Sequence, residues 1–185
     1  MRNKHIGDSL DLAKRRLLEL AASNDIGTLV APRPCQRDFQ FDLYKMVLGA
    51  ETPHEVHGSE AVRFSGRKRQ QHLDDLRATL SKLDYRAVFL DPDSGLRRDH
   101  GNSSKFVSLA EARSIISRQR LTWLLYHHQS AGGFSYEDVI TLLGAAGAYN
   151  FGKAAVVIGG TAAQTSKLIS AIRESLNPKR WISTE

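Results

Sequence analysis

Short apolar, strand-like runs alternate with longer stretches of helical period along the 185 residues of the chain. That alternation constrains the fold more than any other feature. A strand apolar on both sides must be covered on both faces, and intervening helices supply the cover. The runs are Ile26 to Ala31, Ala87 to Leu90, Thr122 to Tyr126 and Ala154 to Ile158. Between them, Asp8 to Ala22 carries a stripe of Leu10, Ala13, Leu17 and Leu20, and Asp38 to Leu48 places Phe39, Leu43 and Met46 inward. Arg69 to Leu83 repeats Leu73, Leu76, Leu80 and Leu83 at helical spacing. Ser108-Leu109-Ala110-Glu111 reads as a capping box opening the next helix, and Ser135 caps another that runs to Leu143. Thr161-Ala162-Ala163-Gln164 reads as a second capping box, for a last helix ending near Leu176 before Asn177-Pro178. A short strand is expected at Val62 to Phe64, and a polar loop at Arg97 to Ser104. The reading is one α/β domain over residues 1–185: a mainly parallel, Rossmann-like sheet with helices on both faces.

Composition narrows the setting. No apolar run approaches the roughly 20 residues that span a bilayer. Met1 to His5 lacks the apolar core of a secretion signal. The expectation is a cytoplasmic protein without a membrane partner, from a bacterium or a phage-infected cell. Cys35 is the single cysteine, which excludes an intrachain disulfide and a cysteine-based zinc cluster. Lysine and arginine number 26 against 20 acidic residues, and a net charge of +6 favours a polyanionic partner such as nucleic acid. Arg63, Arg67, Lys68 and Arg69 form one basic cluster and Arg97-Arg98 a second. Each reads as a phosphate contact or as solvated surface.

Ligands of open α/β sheets bind outside the carboxyl ends of the strands. This points to the loops after Ala31, Leu90, Tyr126 and Ile158. The second holds the most chemistry: Asp91-Pro92-Asp93-Ser94-Gly95. Aspartates two apart in extended chain point the same way. Asp91 and Asp93 could share a Mg²⁺ ion, or one could accept from a substrate amine; the plainer alternative is a turn. Asp8 and Asp11 lie one turn apart at the start of the first helix, before Lys14; Asp8 also suits the N-cap. His127 and His128 close a strand, and alternation allows at most one to face a site. Lys105 could reach a phosphate, and Gly159-Gly160 could receive an anion at a helix N-terminus. Glu111 is accounted for by its capping box. The chain has neither a nucleophile elbow nor a P-loop.

Gly7-Asp8-Ser9-Leu10-Asp11-Leu12-Ala13-Lys14 and Asp91-Pro92-Asp93-Ser94, with the spacing on to Thr122-Trp123-Leu124-Leu125-Tyr126, resemble class I methyltransferase-like proteins. The likeness in layout is to the bacterial large-subunit rRNA methyltransferases that modify the exocyclic amine of adenine. Those open with a Gly-Asn-x-x-Asp-x-x-Lys helix and carry Asp-Pro-Pro-Tyr at the end of their fourth strand. Phe89 to Leu96 also resembles the Phe-Leu-Asp-Pro-Asp-x-Gly-Leu motif of bacterial and phage proteins without an assigned activity. The methyltransferase resemblance implies Asp8, Asp11 and Lys14 toward S-adenosylmethionine and Asp91 as acceptor of the target amine. The chain departs from it in two places. Val30-Ala31-Pro32-Arg33-Pro34 stands where such enzymes have a glycine-rich turn, and Ser94 replaces the aromatic residue that stacks on the base. The cofactor half is therefore expected to be lost or rebuilt.

Three functions follow as expectations. The first is a nucleic-acid-modifying protein centred on Asp91 and flanked by Asp8, Asp11, Lys14, Asp93 and one of His127 and His128. Arg67, Lys68, Arg97, Arg98 and Lys105 would lie along the substrate. The second is a Mg²⁺-dependent phosphodiester hydrolase using Asp91 and Asp93, with Asp11 as a candidate third carboxylate and Lys105 on the phosphate, and the third a binding module without turnover. In the site as expected, Asp8 or Asp11 lies near Asp91 around one cleft, with a His127 or His128 side chain on its rim and Lys14 or Lys105 close by.

Overall fold

The computed structural model describes residues 6–33, 40–49, 54–56, 66–82, 85–99, 105–117, 121–129, 131–161 and 163–183. The expectations at Cys35, Phe39, Arg63, Leu83 and Val62 to Phe64 lie outside the described residues, as do the side chains of Arg67 and Lys68.

The chain runs α1 (Ser9–Ala22), β1 (Thr28–Arg33), α2 (Phe41–Leu48), β2 (His54–Val56), α3 (Gly66–Lys82), β3 (Ala87–Pro92), β4 (Gly95–Arg97), β5 (Phe106–Ser108) and α4 (Leu109–Ile116). It continues through β6 (Thr122–His128), a 3-10 turn at Ala131–Gly133, α5 (Tyr136–Leu143), β7 (Gly147–Asn150), β8 (Ala154–Gly159), α6 (Ala163–Ser175), a 3-10 turn at Pro178–Arg180 and β9 (Trp181–Ile182). Seven strands form the main sheet in the order β2-β1-β3-β6-β8-β7-β9, and β4 and β5 form a small parallel pair of their own.

Alternation along each strand divides the core in two. Val30, Phe89, Leu124, Tyr126 and Val156 face α1, α2 and α6, through Leu17, Leu18, Tyr44, Leu48, Leu168 and Ile172. Leu29, Val88, Leu90, Leu125 and Val157 face α3, α4 and α5, through Leu73, Leu76, Leu80, Ile115, Val139 and Ile140. All six residues of β3 are buried. The apolar runs are therefore the middle layer of three.

β2, β1, β3 and β6 are mutually parallel. β8 departs from the expected parallel sheet: it pairs antiparallel with both β6 and β7. The sequence reading passed over β7, and β7 is the reason. Phe151, Gly152 and Lys153 alone join β7 to β8, and parallel neighbours need a crossover of a dozen or more residues. Gly152 makes the bend at φ 105°, and its amide donates to Asn150 Oδ1 at 2.6 Å. The carboxyl end of β8 thus lies at the edge of the sheet opposite the end of β3, because Gly159 stands beside Trp123 at the start of β6. Gly159-Gly160 belongs to that far edge.

Two other local expectations change. In α2 the inward residues are Phe41, Tyr44 and Leu48, while Met46 is 66% exposed. Arg97, the first residue of the loop expected at Arg97 to Ser104, closes β4, which pairs in parallel with β5, and residues 100–104 of that loop lie outside the described residues. The caps at Ser108 and Ser135 form as capping boxes, with Glu111 and Asp138 as reciprocal partners. The box expected at Thr161 includes residue 162, outside the described residues. Among the described residues no helix is long and apolar enough to cross a membrane.

Candidate functional site

Strand order reverses at β1: β2 lies on one side of it and β3 on the other. In open α/β sheets such a switch point leaves a crevice at the carboxyl ends of the strands. A cleft of about 550 Å³ opens on the β6 side of that point, at the carboxyl ends of β3 and β6, lined by Asp8, Leu10, Asp11, Lys14, Pro92, Asp93, Lys105, Tyr126, His128 and Lys153.

Its floor starts with α1. Asp8 caps the helix, its Oδ1 accepting from the amides of Leu10 at 2.9 Å and Asp11 at 3.1 Å. Asp11 and Lys14 follow three residues apart, hence on one face. That face is turned inward, leaving Asp11 2% and Lys14 3% exposed. Lys14 Nζ donates to Asp11 Oδ1 at 3.0 Å and to Asp91 Oδ2 at 3.1 Å. It also stands 3.0 Å from Asp91 Oδ1, which accepts no hydrogen bond among the described residues. The same ammonium sits 4.3 Å from the centroid of the Tyr126 ring. Tyr44 donates a short hydrogen bond to Asp91 Oδ2, and the Gly7 amide donates to Asp11 Oδ2 at 3.0 Å.

Two carboxylates thus share one ammonium, and the cluster holds its protons tightly. Burial works against the charge on Lys14, but Asp91 and Asp11 outweigh it and raise the ammonium above its ordinary value. Burial also pushes the Asp91 carboxyl up, opposed by Lys14 and reinforced by Asp11. The phenols of Tyr44 and Tyr126 are raised, chiefly by burial. At neutral pH Lys14 is a charged, fixed floor residue and both phenols are protonated.

The sequence reading made Asp91 the central group, and the structure corrects its position. Asp91 is fully buried and does not line the cleft; Lys14 covers it. Asp93, two residues on and past Pro92, is the aspartate at the cleft wall. The two histidines separate by strand parity. His128 shares a face with Tyr126 and lines the cleft, its Nδ1 3.1 Å from the Gln129 carbonyl oxygen. His127 points to the other face and has no exposed surface.

Lys105 lies in the cleft as expected, and Lys153 from the β7–β8 turn adds a cation that sequence reasoning missed. Arg97 and Arg98 are exposed but do not line the cleft. The guanidinium of Arg97 lies instead over the Phe106 ring, 5.6 Å from its centroid. Arg69, placed in a basic surface cluster by sequence, is 5% exposed and grips Glu111 with Nε and Nη2.

Tyr44 and Tyr126 were also missed as site residues. The spacing Phe41, Tyr44, Leu48 carried the signal for the first. For the second it was parity with His128.

Two ligand sets can be tested on these contacts. A Mg²⁺ ion held by Asp91 and Asp93 does not fit, since Asp91 is closed off by Lys14 and Tyr44. Among the described residues no group of three or more His, Cys, Asp or Glu is placed to hold a metal ion. The residues expected toward S-adenosylmethionine, Asp8, Asp11 and Lys14, all line the cleft; Asp8 Oδ1 is engaged in the helix cap, and Lys14 bonds Asp11. Comparison with protein-family models, with curated proteins and with solved structures found no match.

Proposed function

We propose that the chain acts on nucleic acid, on a Rossmann-like, methyltransferase-like scaffold, and that the substrate enters the cleft above Lys14. The observation that carries this reading is the place of the cleft. It lies at the carboxyl ends of β3 and β6, over a buried and charge-unbalanced cluster, with Lys105, Lys153, Asp8 and Asp93 around it. Lys105, Lys153 and His128 suit phosphate oxygens, which fix register without reading sequence. Asp93, rather than Asp91, is the carboxylate placed to accept from a base amine. Lys14 puts an ammonium in the floor, where Asp91 and Asp11 hold its charge against the cost of burial.

A binding module without turnover is the second reading. It is favoured by the completeness of the Lys14 cluster, which leaves Asp91 no access to a substrate.

Fluorescence anisotropy with short single- and double-stranded DNA and RNA tests the proposal. Affinity should fall linearly in log salt, and Lys105→Ala with Lys153→Ala should lower the slope by about 2, roughly one for each lost phosphate contact. Asp93→Asn should spare binding. If it also abolishes a change in the nucleic acid, the enzyme reading holds over the module. Absence of wild-type binding at low salt would overturn the nucleic-acid reading.

A further inference from the structure

His127 is a buried imidazole with both nitrogens committed. Nδ1 accepts from the Leu96 amide at 3.0 Å, and Nε2 lies 3.1 Å from the Phe134 carbonyl oxygen. A ring nitrogen that accepts an N–H cannot carry a proton, and one facing a carbonyl must. The ring is therefore the neutral Nε2–H tautomer.

Around this ring the chain after β3 is drawn onto β6. The His128 amide donates to the Ser94 carbonyl at 2.9 Å, and the Ser94 amide donates to the Lys105 carbonyl at 2.9 Å. Between these bonds and the Leu96–His127 bond sits Gly95, at φ 124°. A Cβ there would stand 2.4 Å from His127 Nδ1 and 2.9 Å from its Cα, so only glycine admits the approach. Gly132 meets β4 from the other side, where a Cβ would lie 2.2 Å from the Leu96 carbonyl oxygen. The segment held in this way starts one residue after Asp93 and grips the backbone of Lys105, and both residues line the cleft.

We propose that His127 is a positioning residue of the cleft: through Nδ1 it fixes β4 on β6, and so sets where Asp93 and Lys105 stand. This rests on reading the cleft as the functional site.

The clamp is acid-sensitive. Protonation at Nδ1 would set N–H against the Leu96 N–H. Burial holds the imidazole below its ordinary value of 6.5. His128 disfavours its charge, and Asp138 on α5 favours it. The Tyr136 ring packs edge-on at 6.1 Å, and exposed Arg97 follows Leu96 on β4. A base whose folded value is depressed contributes stability that is full above the unfolded value and lost as pH falls toward the folded one. The clamp is therefore intact at neutral pH and weakens below about 6.5.

Two substitutions separate the two nitrogens. In His127→Asn the Oδ1 stands in for the Nδ1 acceptor and does not titrate. In His127→Gln the Nε2 stands in for the donor to Phe134, and the acceptor is gone. Amide hydrogen exchange at Leu96, with the Val156 amide as the reporter of global folding, reads the difference. The Gln variant should exchange at Leu96 about tenfold faster than wild type at pH 7. The Asn variant should keep protection, and should keep it on acidification where wild type loses it. Gly95→Ala, which leaves His127 in place, should open Leu96 as the Gln variant does, and serves if either His127 variant fails to fold. Equal exchange at Leu96 in the Asn and Gln variants would overturn the inference. Affinity for the oligonucleotides should follow the same order. If the exchange pattern appears and wild type binds no oligonucleotide, the nucleic-acid reading fails and the positioning role stands.

Discussion

Two buried ion clusters sit on opposite faces of the sheet, and they differ in arithmetic. Arg69 and Glu111 pair one to one, between α3 and α4. Arg69 Nη2 also donates to the Phe106 carbonyl at 2.9 Å, and Glu111 Oε2 accepts from the Ser108 amide at 2.8 Å as part of its capping box. Each of these side chains is bound both to its partner and to backbone. Lys14 instead serves both Asp11 and Asp91, and it lines the cleft together with Asp93, Lys105, His128 and Lys153. Burial of charge alone is thus a weak mark of function, since breaking a buried pair is costly wherever it sits. Unequal charge beside a cleft is the stronger mark, because perturbed groups gather where a ligand must be met.

Removing each cation sharpens the contrast. Lys14→Met leaves two buried carboxylates without a counter-ion and should cost about 5 kcal/mol at neutral pH, at the upper end for a broken buried pair. The loss should shrink on acidification. Asp91 already has a raised carboxyl in the folded state, so protonation there favours the native form as pH falls. Urea unfolding at pH 5 and pH 8 checks both the size and the sign. Arg69→Met should cost less, about 3 kcal/mol, because Glu111 keeps its hydrogen bond from Ser108. It should leave oligonucleotide affinity unchanged where the variant is folded. A ligand-affinity loss in Arg69→Met equal to that in Lys14→Met would erase the distinction between the clusters. Tyr44→Phe removes the hydrogen bond to the Asp91 carboxyl, for about 1.5–3 kcal/mol in the same assay.

Much of this was legible in the sequence, for physical reasons that can be named. Ala87 to Leu90 and Trp123 to Leu125 are unbroken apolar runs, so period and length alone identified β3 and β6. Asp8, Asp11 and Lys14 were found because helical spacing places them on one turn, and Asp91 because it ends a buried strand. What the sequence did not reveal was direction and depth. A strand's residues do not state which way it runs, and only the three-residue link from Asn150 to Ala154 betrays that β8 is antiparallel. Asp91 and Asp93 look equivalent at a spacing of two, yet the chain leaves the sheet at Pro92, and only Asp91 stays under α1. The phase of α2 was misread because Met46 and Tyr44 are both plausible inward residues. The Tyr44 hydroxyl settles inward because it has a buried carboxylate to reach. Arg69 read as surface because its partner, Glu111, lies 42 positions away.

The central claim is that the cleft over Lys14 is where nucleic acid engages, and photo-crosslinking to a short single-stranded oligonucleotide followed by peptide mapping tests it most directly. The account predicts adducts concentrated on Lys105, His128 and Lys153, reduced by added salt and lost in Lys14→Met under conditions where that variant is folded. Adducts confined to the opposite edge of the sheet, around Arg113 and Thr161, with none in the cleft, would contradict it.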